Sequence, residues 1–80
     1  MIKIKLKRLL AEKEITQKNL EKMSGVYQPI ISAYCKNKTN SISLSTLNKI
    51  CKALNVKDIS EILEYVEDSE YIDNENTTEN

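Results

Sequence analysis

The sequence predicts an all-α domain of five short helices followed by an acidic tail, and three observations lead there. The chain has 80 residues, which bounds it to one small domain. It contains one glycine and one proline, too few for the turns of an all-β fold, beside 40% apolar residues that can build a compact core. Its apolar residues recur mainly at helical spacing between residues 6 and 66, and the periodicity ends after Asp68. The domain therefore reads as residues 1–67 and the tail as residues 68–80, polar, acidic and of a composition expected to be disordered.

The elements follow in order. Leu6, Leu9, Leu10 and Ile15 fall near helical spacing among good helix formers, which predicts a first helix from about Ile4 to Lys13. The alternation Ile2-Lys3-Ile4-Lys5-Leu6 leaves a short edge strand over residues 2–5 as the alternative. Thr16 is a favourable N-cap for a second helix of about two turns, in which Leu20 and Met23 share a face. Gly25 ends it where a left-handed residue is wanted. Pro29 is compatible with the first turn of a third helix, because a proline lacks the N–H that would have no acceptor there. That helix spans about residues 28–36, with Ile31, Tyr34 and Cys35 on one side and Gln28, Ser32, Ala33 and Lys36 on the other. Asn37 is a candidate left-handed residue in the loop that follows. Ser43 caps a fourth helix with the stripe Leu44, Leu47, Ile50, Cys51 and Leu54. Asp58 and Glu61 have capping-box spacing and predict a fifth helix with Ile59, Ile62, Leu63 and Val66 inward.

Charge divides the chain more sharply than apolarity does. Residues 1–57 carry all twelve Lys and Arg against three acids, a balance of +9, while residues 58–80 carry nine acids and no base, a balance of −9. A basic folded body fits a polyanion partner, and an acidic end fits a solvated tail, a competitor for the basic surface or a handle for another protein. Without histidine or any CxxC spacing, Cys35 and Cys51 read as small buried apolar residues and no metal or cofactor site is expected. No apolar stretch approaches the ~20 residues of a membrane span, so a cytoplasmic protein without a membrane partner is expected. The absence of histidine and of a phosphate-cradling glycine loop argues against an enzyme.

Two short helices joined through a glycine turn make a helix-turn-helix, a unit that can present its second helix to the major groove of DNA. Gln28 can pair with the edge of adenine, Ser32 can bond several bases, and Lys36 and Lys38 suit phosphates. Leu20, Val26, Ile31 and Tyr34 are spaced for the core, whereas Ile30 can either touch a thymine methyl or pack at the helix edge. The run Lys3, Lys5, Lys7 and Arg8 reads as a solvated face or as a phosphate contact.

Across "TQKNLEKMSGVYQPIISAYCKNKT" and on into "ISLSTLNKICKALNV" the sequence resembles the phage-repressor and Cro-like helix-turn-helix domains, the xenobiotic-response-element family, over about residues 3–66. The resemblance implies a five-helix, lambda-repressor-like fold and a small regulator, a repressor, of double-stranded DNA. It places Gln17 at the DNA backbone, Tyr27, Gln28 and Pro29 at bases, Ser32 and Ala33 one turn later, and Lys36, Asn37 and Lys38 at phosphates. Four positions depart from the family pattern. Glu21 stands where a small residue is usual, so its carboxylate must bend outward or find a cation; Tyr27 replaces a hydroxyl cap, Cys35 a glutamate and Asn37 a glycine. Two-fold pairing on half-sites would use the fifth helix, with Tyr65 and Val66 as candidates. The competing reading is a protein-interaction module, an antitoxin or anti-repressor, acting through the acidic segment on a protein partner.

Overall fold

The computed structural model describes residues 1–67. The chain forms β1 (Ile2–Ile4), α1 (Leu6–Lys13), α2 (Gln17–Ser24), α3 (Gln28–Cys35), α4 (Leu44–Ala53), a 3₁₀ turn (Ile59–Glu61) and β2 (Leu63–Tyr65). The predicted acidic tail lies outside the described residues.

The four helices form where local chemistry directs them. The Thr16 hydroxyl accepts from the Asn19 N–H at 3.0 Å, and the Ser43 hydroxyl accepts from the Thr46 N–H at 3.2 Å, each satisfying an orphan donor of a first turn. Glu14, Gly25, Asn37 and Asn55 take left-handed backbone angles just beyond the ends of α1 to α4. The apolar faces meet in one core that includes Leu6, Leu9, Leu10, Leu20, Val26, Ile31, Tyr34, Leu47, Ile50, Leu54 and Ile62. On the helical stripes Met23 and Leu44 do not join it: Met23 is half exposed, and Leu44, at the start of α4, is 82% exposed.

The two ends of the domain depart from the five-helix, all-α expectation. Residues 2–4 form a strand, the alternative weighed for them, and the first helix starts at Leu6 rather than Ile4. The capping box at Asp58 and Glu61 is present, yet it opens only one 3₁₀ turn. The chain then extends as β2, antiparallel to β1 in the register Ile2↔Tyr65, Lys3↔Glu64, Ile4↔Leu63. The reason is tertiary. Ile4 and Ile62 are buried, and the Lys5 N–H donates to the Ile62 carbonyl at 2.7 Å, so this segment satisfies its backbone on β1 while its side chains close the core. Among the described residues there is no fifth α-helix, and of the four residues expected inward on it only Ile62 is fully enclosed.

Candidate nucleic-acid interface

The turn between α2 and α3 is closed by Ser24 and Gly25. Gly25 has φ +77°, and its N–H donates to the Glu21 carbonyl at 2.8 Å. The Ser24 hydroxyl donates to the Leu20 carbonyl at 2.6 Å and accepts from the Val26 N–H at 3.1 Å. With Val26 buried behind this turn, α3 leaves it in a fixed direction.

The start of α3 is capped from the neighbouring helix. Tyr27 stands at the N-cap and its side chain makes no capping bond, being 68% exposed. Instead a Glu21 carboxylate oxygen accepts from the Gln28 N–H at 2.9 Å. Glu21 therefore finds a helix N-terminus rather than a cation, and a carboxylate is favoured there by the helix dipole as well as by the orphan donor. The unusual residues at positions 21 and 27 are thereby explained together: the cap missing from one is supplied by the other. Sequence reasoning missed this bond because no local pattern links residues seven apart across a turn.

Ile31, Tyr34 and Cys35 anchor α3 in the core. Along the rest of the helix Gln28, Ser32 and Ala33 are half-buried and Pro29, Ile30 and Lys36 exposed; Gln28, seven residues before Cys35, flanks the core side at the first turn, and Ile30, 39% exposed, flanks its other edge. Lys38 is exposed in the loop after α3, and Gln17 is half-buried at the start of α2. Asn37 is committed elsewhere. Its side-chain oxygen accepts from the Ile4 N–H at 2.8 Å and its amide nitrogen donates to the Ile4 carbonyl at 2.9 Å. The residue thus clamps the loop after α3 to β1, a role with no sequence signal because the partners lie 33 positions apart.

Basic residues continue the surface past that clamp. Lys3, Lys5, Lys7 and Arg8 line a groove with Ile4, Ala11, Cys35, Asn37 and Glu64. Arg8 is paired with Glu12 at 3.1 Å, one turn along α1. Burial pushes the Cys35 thiol above its ordinary range, partly opposed by the charge of Lys7, and burial followed by the charge of Glu61 does the same for Cys51. Both cysteines are free, and neither is poised as a thiolate. Among the described residues no cluster of His, Cys, Asp or Glu can hold a metal ion, and no helix is long and apolar enough to cross a membrane.

The arrangement is a short supporting helix, a turn through left-handed Gly25 and a second helix that leads into the exposed Lys36 and Lys38. Residues 5–68 match the model of the Cro/C1-type HTH DNA-binding domain. The chain belongs to this family. A solved structure described as "Crystal structure of a putative DNA-binding protein from Bacteroides fragilis" is similar, with 34% identity and a TM-score of 0.68, over 80% of this chain and 100% of that one. No curated protein matches. The domain is thus a helix-turn-helix DNA-binding unit, built from four helices and a small two-stranded sheet.

Proposed function

We propose that the protein is a cytoplasmic transcriptional regulator, a repressor rather than an enzyme, that binds a double-stranded operator with α3 in the major groove. The observation that carries this reading is the side of α3 turned away from the buried Ile31, Tyr34 and Cys35, where half-buried Ser32 and Ala33 lie with exposed Pro29 and Lys36, and half-buried Gln28 stands at the leading turn. A groove admits one helix with short polar side chains facing base edges and cations at its rim. In this reading Gln28 pairs with adenine, Ser32 bonds a neighbouring base and Ala33 leaves room for close approach. Gln17 and the lysines at positions 36 and 38 hold phosphates. Tyr27 and Pro29 contribute contact surface at the leading end of α3 rather than paired hydrogen bonds. Asn37 acts through its clamp on Ile4, which sets the height of the loop that carries the two lysines.

One recognition helix covers few base pairs, so two copies on half-sites about one helical turn apart would supply the affinity an operator needs. The helix expected to pair them is the strand β2, on which Tyr65 is 66% exposed.

Selection of duplexes from a random pool, followed by titration with salt, tests the proposal. Binding should weaken steeply as salt rises, the mark of phosphate contacts. Gln28→Ala should cost about 1–3 kcal/mol at one base position, whereas Lys38→Ala should weaken all sequences alike. A sequence preference left unchanged by Gln28→Ala would overturn the assignment of that residue, and binding indifferent to salt would overturn the interface.

A further inference from the structure

The basic groove beside the loop after α3 is lined by both apolar and charged side chains. It has a volume of about 430 Å³. Ile4, Ala11 and Cys35 contribute apolar lining, and Lys3, Lys5, Lys7 and Arg8 supply cations against the single carboxylate of Glu64. Arg8 is engaged by Glu12, whereas Lys3 and Lys7 make no ion pair among the described residues. A matching ligand would be a short acidic peptide with one or two apolar side chains at its centre.

The chain itself contains such a peptide. Residues 68–80 hold five carboxylates, no base and only two apolar residues, and these two are adjacent: Glu70-Tyr71-Ile72-Asp73. We infer that this segment docks in the groove of its own chain, with Tyr71 and Ile72 over the apolar lining and Glu70 and Asp73 against Lys3 and Lys7. Reach permits it. Glu64 lines the groove, Glu67 lies three residues, or about 10 Å, farther along the chain, and the four residues to Tyr71 span up to about 14 Å, enough to turn back. The match to the family ends at residue 68, so the peptide is an addition to the helix-turn-helix unit rather than part of it.

Docking has a consequence that rests on the proposed DNA reading. The groove includes Asn37, whose neighbours Lys36 and Lys38 are the proposed phosphate contacts, so a docked acidic peptide and a duplex compete for one positive field. A tail docked in about 90% of molecules would weaken the apparent duplex affinity about tenfold.

Amide NMR spectra of the full chain, wild type against Tyr71→Ser/Ile72→Ser, test docking without DNA. Resonances of Lys7, Ala11, Cys35 and Asn37 should shift in the variant while those of Leu20 and Ile50 stay in place, and Lys3→Gln/Lys7→Gln should move Tyr71 and Ile72. Groove resonances identical in wild type and variant would overturn docking. Shifts that depend on protein concentration would overturn it as an intramolecular contact, since a second copy would then be supplying the peptide. In parallel, Tyr71→Ser/Ile72→Ser should bind the selected duplex about tenfold more tightly, and unchanged affinity with moved groove resonances would overturn the competition. If no version binds any duplex, the DNA reading fails while the NMR comparison still decides docking.

Discussion

Glu21 and Asn37 show how two residues that depart from the family pattern hold α3 at its two ends. The carboxylate of Glu21 replaces the hydroxyl that Tyr27 lacks, so Glu21→Ala should destabilise the domain by about 1 kcal/mol, the usual cost of losing a cap. Glu21→Gln retains an oxygen acceptor and should lose less; urea unfolding of the three proteins would show the order. Asn37 has two separable roles, a left-handed backbone with φ 54° and a paired amide contact to Ile4. Asn37→Gly should keep the first and lose the second, while Asn37→Ala loses both. The alanine variant should therefore be the less stable by about 1 kcal/mol, the strain of a left-handed alanine. Equal stabilities would show that the amide clamp, and not the backbone angle, accounts for the residue.

At the scale of elements, the capping box on the 3₁₀ turn gives a pH signature. The Asp58 carboxylate accepts from the Ser60 N–H at 2.9 Å, and the hydrogen bonds from Ser60 hold its pKa below the ordinary value. A group whose folded pKa is depressed contributes stability above its unfolded pKa and loses it as pH falls through the folded value. Unfolding midpoints should thus fall on the acid side of about pH 4, and Asp58→Asn, which keeps an acceptor, should flatten that part of the profile. The same turn marks the limit of what was legible. Thr16, Gly25 and Ser43 announce their helix ends because caps act within three or four residues, and the buried side of α3, Ile31, Tyr34 and Cys35, could be read from its period. The Asp-x-x-Glu box is equally well formed in the structure, but one 3₁₀ turn satisfies it as fully as a long helix would. What decides between them is the pairing of Leu63–Tyr65 with Ile2–Ile4, some sixty residues away, and no local pattern records it. The Glu21 cap and the Asn37 clamp escaped notice for the same reason, being bonds between segments that only the packed core brings together.

At the scale of the whole molecule, the sheet ties β1 to β2, so residues 59–65 close the core instead of extending a bundle. If a fifth helix covered the core, Ile59 and Ile62 would share its inward side and their truncation would cost similar amounts. In the observed fold Ile62 is fully buried and its carbonyl holds the Lys5 N–H, whereas Ile59 is 52% exposed. Ile62→Ala should therefore cost about 2–5 kcal/mol, the range for removing a large aliphatic side chain from a core. Ile59→Ala should change stability by no more than about 0.5 kcal/mol, as at an ordinary surface position. A domain of this size holds only about 5–10 kcal/mol in total, so the first variant should have a markedly lower midpoint in thermal unfolding. Hydrogen exchange locates the effect. If β2 closes the core by pairing with β1, the Lys5 amide loses protection in Ile62→Ala together with amides of α4, because sheet and core open as one unit; a Lys5 amide that stayed protected would mean that the strands are held by something other than the buried Ile62.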